Sequence, residues 1–136
     1  MRRVSEHLVV VSGDRAIACR RWAPREGAQG PPLVLLHGLL DTSEGWNAPM
    51  RLCGREAWAF DLPGFGDSSL APHATVRCYA ELIGEAIEKV GLERFELAGH
   101  SLGGAVAAVV AARMPRRVSQ LVLWAPAGFG PLFAAR

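Results

Sequence analysis

Short apolar runs alternate along the chain with longer segments of helical periodicity. Leu33–Leu36 and Phe95–Ala98 are short runs bounded by Pro, Gly or charged residues, and they predict strands buried within a sheet. Glu56–Phe60 and Val118–Trp124 predict two further strands for the same reason. Near the N-terminus, Leu8–Val11 and Ala16–Trp22 flank a turn and predict an opening hairpin over residues 8–22.

Helical segments connect these strands. Apolar residues recur at helical spacing between Thr75, which suits an N-cap, and Gly91, which suits a helix end. Leu102–Met114 is rich in Ala and Val, predicts a second helix and is stopped by Pro115. Trp46–Cys53 predicts a third, short helix.

Alternating strands and helices indicate an α/β fold, with a mostly parallel sheet and helices on both faces. The length of 136 residues corresponds to a single domain, residues 1–136. Ligands bind such sheets at the carboxyl ends of the strands. Candidate binding or catalytic residues are therefore expected at the strand ends, at His37-Gly38, at Asp61 and at Gly99.

Composition excludes several functional classes. The net charge of +2 is small and the arginine pairs are scattered, so the sequence predicts no nucleic-acid binding. The longest apolar run, Leu102–Ala112, is well short of the roughly 20 residues of a membrane span. No export signal is evident, and we expect a cytoplasmic protein without membrane association.

The cysteine pattern argues against metal or redox chemistry. Cys19, Cys53 and Cys78 form no C-x-x-C pair, and their number is odd. Reduced and mostly buried thiols are the expectation for such a protein. The sequence predicts no metal site and no cofactor.

The strongest chemical motif is Gly99-His100-Ser101-Leu102-Gly103, a G-x-S-x-G sequence between a predicted strand and a predicted helix. This context is typical of a nucleophile elbow, here residues 99–103, in which a tight turn exposes the serine hydroxyl. Glycines at both flanks are required because side chains there would clash. The alternative is an ordinary strand-to-helix turn with Ser101 as the N-cap.

Five segments together resemble the α/β-hydrolase fold family. They are Leu33–Gly38, Trp46, Asp61–Ser68, Gly99–Gly104 and Met114–Leu123. Their order and spacing are similar to those of the family from about residue 8 to about residue 128. The resemblance covers nearly the whole chain.

The resemblance implies roles for particular residues. Ser101 would be the nucleophile, and the backbone N–H groups of Leu39 and Leu102 would form the oxyanion hole. His37 and Gly38 would be structural residues of the oxyanion loop, residues 37–40. Gly99 and Gly103 would shape the elbow.

Three further polar residues receive structural roles. The resemblance implies that His100 packs away from the reaction centre, although it lies inside the elbow. Asp61 and Asp67 would order the glycine-rich loop through turn hydrogen bonds.

The chain lacks a recognisable general base and its orienting acid. In this fold they follow the serine in the order acid, then histidine. The last carboxylate is Glu96 and the last histidine is His100, so neither role is filled after Ser101. The earlier His73 and His7 are poor substitutes. We therefore expect an incomplete domain that stops after about strand six and whose activity alone is doubtful.

The resulting functional expectation is a serine hydrolase. It would hydrolyse an ester, thioester, lactone or carbon–carbon bond of a small apolar substrate through an acyl-enzyme. The alternative is an inactive fragment or a partner-binding module. Without a neighbouring strand, residues 118–124 would form an exposed apolar edge prone to self-association.

Overall fold

A computed structural model describes residues 4–129, which form a six-stranded sheet with helices packed on it. The strands are β1 (Glu6–Ser12), β2 (Arg15–Trp22), β3 (Leu33–Leu36), β4 (Ala57–Phe60), β5 (Phe95–His100) and β6 (Val118–Trp124). The helices are a 3₁₀ turn (Ser43–Trp46), α1 (Asn47–Leu52), α2 (Val76–Lys89) and α3 (Leu102–Arg113).

The sheet has the order β1-β2-β4-β3-β5-β6. Strands β4, β3, β5 and β6 are parallel, whereas β2 pairs antiparallel with both β1 and β4. The predicted fold class is therefore confirmed. The opening hairpin is present and begins at Glu6, two residues before the predicted Leu8.

Several element boundaries differ from the sequence prediction by one or two residues, and hydrogen bonds explain two of these differences. Strand β5 continues beyond Ala98 to His100, because Gly99 and His100 still pair with β6. The predicted helix at Trp46–Cys53 is preceded by the 3₁₀ turn, because the Thr42 hydroxyl accepts a hydrogen bond from the N–H of Glu44 at 3.2 Å.

The core occupies both faces of the sheet. The larger cluster packs α2 and α3 against one face, with Phe60, Ile83, Phe95 and Val106 fully buried. The smaller cluster covers the other face and contains Trp22, Leu35, Met50, Ala57 and Ala59. Burial on both faces explains why the parallel strands are continuously apolar.

Strand β2 is buried on both faces in its middle, where Ile17, Ala18 and Cys19 are all buried. Helix α2 and the 3₁₀ turn both contact β2, while β1 and β4 pair with its two edges. Burial, and secondarily the charge of Asp61, raises the pKa of the Cys19 thiol to about 12.

Strand β6 lies at the edge of the described sheet and pairs only with β5 there. Its apolar side chains are exposed, with Val122 at 52% and Trp124 at 65% of full accessibility. An edge of this kind offers unpaired backbone groups beside apolar surface. Separately, none of the helices within residues 4–129 is long and apolar enough to cross a membrane.

Helix α3 approaches the sheet at backbone contact distance. A Cβ atom added at Gly103 would lie well inside 3.0 Å of the carbonyls of Leu36 and His37. One added at Gly99 would meet the backbone of Gly103 equally closely, with the Gly104 Cα at 2.8 Å. Real Cβ atoms do not tolerate such distances, so both positions require glycine.

We therefore expect Gly99→Ala to lower the free energy of unfolding by more than about 3 kcal/mol, because the clash is with backbone that cannot move aside. Gly84→Ala is the matched control. Gly84 lies inside α2, where a new methyl would meet only the Met114 sulfur at 3.8 Å. Alanine there should stabilise by about 0.5–1 kcal/mol through helix propensity. Urea unfolding of both variants measures the difference, and equal stabilities would contradict the packing argument.

Candidate active site

Ser101 joins β5 to α3 in a strained backbone conformation. Its φ is 52° and its ψ is −115°, in a region that residues with a side chain rarely adopt. Such a conformation costs about 1–3 kcal/mol and persists only where the surrounding structure enforces it. The Ser101 hydroxyl makes no capping hydrogen bond, which argues against the alternative of an ordinary N-cap serine.

Backbone hydrogen bonds enforce the turn from several sides. The N–H of Ser101 donates to the carbonyl of Trp124 at 3.0 Å, which ties the elbow to the end of β6. The Ser101 carbonyl accepts hydrogen bonds from Gly104 at 2.9 Å, Ala105 at 3.2 Å and Ala127 at 3.0 Å. The elbow is thus held by α3 and by the segment after β6 together.

The loop after β3 lies directly against this elbow. A Cβ at Gly38 would be 3.0 Å from the His100 Nδ1 and 3.4 Å from the Ser101 Cβ. Within residues 4–129, the backbone N–H groups of Leu39 and Leu102 have no hydrogen-bond acceptor. The structure therefore brings together the predicted nucleophile and two backbone donors without partners.

His37 is built into the base of this loop and is only 1% exposed. Its Nδ1 lies 2.7 Å from the carbonyl of Gly38, and its Nε2 lies 2.9 Å from the N–H of Leu62. These partners assign a neutral ring that donates through Nδ1 and accepts through Nε2. Burial lowers the pKa of His37 below its ordinary 6.5, against the opposing effects of the Gly38 hydrogen bond and of the Asp61 and Asp41 charges.

The two aspartates of the glycine-rich loop differ from expectation. Asp61 is 3% exposed and accepts hydrogen bonds from the Asp67 N–H at 3.1 Å and, across the site, from the Ser43 N–H at 2.7 Å. The Asp67 carboxylate is exposed and pairs with His7 of β1 at 3.2 Å. Asp61 thus orders its own loop as predicted and also contacts a second loop, whereas the Asp67 side chain orders neither.

A cleft of about 240 Å³ opens beside the elbow. It is lined by His37, Asp41, Gly45, Trp46, Pro49, His100 and Trp124. The rings of His100 and Trp124 lie 4.5 Å apart between centroids, so His100 is a packing residue as expected. It does not lie away from the site, however, because it lines the cleft beside Ser101. Asp41 and Trp124 were not predicted as site residues, because only the fold brings the end of β6 beside the loop after β3.

Aromatic side chains make up most of the side-chain lining of the cleft. Its walls are aromatic rings and backbone, with the Asp41 carboxylate as the one acidic side chain among its lining residues. Among the described residues, no group of three or more His, Cys, Asp or Glu side chains could hold a metal ion.

The neutral state of His37 predicts a pH-dependent stability. The pKa of His37 is lower in the folded chain than in the unfolded chain. The contribution of the neutral ring to the free energy of unfolding is therefore complete above pH 6.5, and it is lost as the pH falls below that value. One such proton changes the free energy of unfolding by at most about 1.4 kcal/mol per pH unit. His37→Gln, which cannot titrate, is the reference.

We expect the stability advantage of the native chain over His37→Gln to shrink between pH 7 and pH 5. Urea unfolding of both proteins across this range measures it, and the other three histidines cancel in the comparison. An advantage that stays constant over the range would contradict the assigned ring state.

The chain is similar to known proteins over most of its length. The sequence profile of the alpha/beta hydrolase fold matches residues 31–134. A dihydrolipoyllysine-residue acetyltransferase component of the acetoin cleaving system from Pseudomonas putida is 38% identical over 113 residues, which are 81% of this chain and 30% of that protein. A 2-succinyl-6-hydroxy-2,4-cyclohexadiene-1-carboxylate synthase from Yersinia pestis is 35% identical over 67% of this chain and 36% of its own length.

Solved structures agree with the sequence comparisons. A bacterial membrane phospholipase A described as a virulence factor superimposes with a TM-score of 0.82 and 34% identity. The match covers 97% of this chain and 42% of that one. The chain thus spans less than half the length of each of these relatives. On the matching profile and the shared fold, it belongs to the α/β-hydrolase fold family.

Proposed function

We propose that this chain carries the nucleophile and the oxyanion hole of a serine hydrolase. The observation that carries the proposal is the strained Ser101 beside two backbone N–H groups, those of Leu39 and Leu102, that have no acceptor within residues 4–129. Buried or strained groups without a structural partner are most often found where a ligand supplies the missing contact.

The reaction would proceed through an acyl-enzyme. The Ser101 oxygen attacks the substrate carbonyl carbon, and the carbonyl oxygen becomes a tetrahedral oxyanion. The N–H groups of Leu39 and Leu102 donate hydrogen bonds to that oxyanion, and the N-terminus of α3 adds a favourable dipole. The leaving group departs with the proton that the Ser101 hydroxyl gives up, and water then adds to the acyl carbon, releasing the acid and returning a proton to the Ser101 oxygen.

The cleft supports a small, mostly apolar substrate. Aromatic rings of Trp46, His100 and Trp124 would contact the substrate beside the reacting carbon. An ester, a thioester, a lactone or an activated carbon–carbon bond would each present a suitable carbonyl. The attack by the Ser101 oxygen on the carbonyl carbon is common to all four bond classes, so a panel of substrates would distinguish between them.

This sequence does not supply the residues that would transfer protons in the reaction. Residues 102–136 contain no Asp, Glu or His, so no base and acid follow Ser101 in the family's order. A serine hydroxyl is a poor nucleophile without a base. We infer that efficient turnover depends on an acid and a histidine from outside this sequence.

Labelling with a fluorophosphonate tests the nucleophile. In the protein as its source produces it, we expect modification at Ser101, identified by peptide mass spectrometry, and at least a 100-fold lower rate in Ser101→Ala. Ser119→Ala, which removes the β6 serine hydroxyl that donates to the Phe95 carbonyl at 3.2 Å, should label at the native rate. Undiminished labelling of Ser101→Ala would contradict the assignment. Labelling of the isolated 136-residue chain separately tests whether the chain works alone.

A second candidate function is a module that binds a partner through β6. It is favoured by the exposed apolar edge at Leu121, Val122 and Trp124. Backbone pairing along an open edge needs no catalytic groups. A second copy of the chain is one such partner.

For this candidate, Val122→Lys should weaken self-association at least about tenfold, because a charge on the edge opposes strand pairing. Sedimentation velocity over a concentration series measures the effect. Leu52→Lys makes the same kind of change at an exposed position on α1 and should leave association unchanged. A chain that is monomeric at all concentrations, or that responds equally to both variants, would exclude edge pairing between two copies of the chain.

A further inference from the structure

All three buried polar or charged side chains of the described residues lie at one place, the junction between the loops that follow β3 and β4. They are His37, Ser43 and Asp61. Burial of polar groups costs free energy unless their hydrogen bonds are satisfied. A buried polar cluster beside the proposed reaction centre therefore needs a physical explanation.

Two consecutive residues of the β4 loop hold both ends of the β3 loop. The N–H of Leu62 donates to the His37 Nε2 at 2.9 Å, at the start of the segment 37–43. The Asp61 Oδ1 accepts from the Ser43 N–H at 2.7 Å, at the end of that segment. The two ends of the segment are thus hydrogen-bonded to two consecutive residues, to Asp61 through its carboxylate and to Leu62 through its backbone N–H.

Between these ends, the tip of the loop has little support of its own. Leu39 and Leu40 are 63% and 89% exposed, and Leu40 has a positive φ of 59°. The hydrogen bond that closes the turn, from the Asp41 N–H to the Gly38 carbonyl, is long at 3.3 Å. The direction of the Leu39 N–H therefore depends on where the two ends are held.

We propose that Asp61 is a positioning residue for the oxyanion hole: by holding Ser43, it aims the Leu39 N–H at the carbonyl oxygen bound beside Ser101. The proposal rests on the function proposed above. Asp61 does not touch the substrate and acts through the loop alone.

The carboxylate is suited to this task because it accepts from two loops at once. Its Oδ2 accepts from the Asp67 N–H at 3.1 Å, while its backbone carbonyl accepts from the Ser68 hydroxyl at 2.7 Å. Both bonds fix Asp61 within its own loop, and Oδ1 then transmits that position to Ser43. In the described part of the chain, Asp61 forms no salt bridge, so its carboxylate is oriented by these backbone donors.

Asp61→Asn tests the proposal with little change in volume. The Ser43 N–H meets Oδ1 and the Asp67 N–H meets Oδ2, whereas a carboxamide places an oxygen at one of these positions and an NH₂ donor at the other, so both bonds cannot be kept. Asp67→Asn is the matched control, because it removes the same charge from the same loop while the backbone N–H of Asp67 remains. The Asp67 carboxylate contacts only His7 among the ion pairs of the described residues.

Two readouts are taken on the protein as its source produces it. With p-nitrophenyl butyrate, we expect Asp61→Asn to lower kcat at least about tenfold and to change KM less than about threefold, because the donor acts on the transition state. The backbone amide resonance of Leu39 should shift in Asp61→Asn. Neither readout should move in Asp67→Asn.

Ser43→Pro removes the same hydrogen bond by eliminating its donor, and this variant is used for the test if Asp61→Asn fails to fold. Position 43 begins the 3₁₀ turn after an extended Thr42, a place that suits proline, and proline has no N–H to donate. The variant should lower kcat as Asp61→Asn does.

Native kcat in the folded Asp61→Asn or Ser43→Pro protein would overturn the proposal. Absence of hydrolysis in the native protein would instead count against the proposed function. In that case, the Leu39 amide resonance alone tests the positioning role of Asp61. A shift in Asp61→Asn but not in Asp67→Asn supports this role, and an unshifted resonance in Asp61→Asn overturns it.

Discussion

The geometry of the whole site depends on one contact, the backbone approach of the first turn of α3 to the ends of β3 and β5. Gly99 and Gly103 permit it, because a Cβ at either position would overlap backbone atoms. The contact sets Ser101 beside the β3 loop and fixes the strained turn between β5 and α3. Loss of the contact would separate the hydroxyl from the N–H groups of Leu39 and Leu102.

Much of this arrangement was predictable from sequence because its signals are local. The apolar runs identified every strand, and the glycines around Ser101 identified the elbow, since a tight turn between a strand and a helix restricts its own flanking residues. The burial of both faces of β2 was not predicted, because whether Ala18 and Cys19 are covered depends on strands and helices distant in sequence. Local pattern does not carry that information.

The polar part of the site was the least predictable. Asp61 was expected to act within its own loop, and Ser43 was not singled out, because their contact joins residues 18 positions apart. The same holds for His100 and Trp124, which meet only because β5 and β6 are neighbours. Side-chain to backbone bonds between loops follow from the topology of the sheet, and the sequence pattern predicts the sheet but not these partners.

The described residues separate two parts of serine hydrolase chemistry that are usually discussed together. In serine hydrolases, loss of triad residues leaves a rate advantage of about 10³–10⁴ over water, which comes from the oxyanion hole and from binding. Under the proposed function, the groups for that share would be the Leu39 and Leu102 N–H groups and the cleft, which come from β3, β5, α3 and the end of β6. Glycine contacts and buried polar groups within residues 4–129 hold these groups in place, and neither a base nor an acid takes part in those contacts. The proposed function therefore places its electrostatic half on a geometry that is built independently of proton transfer.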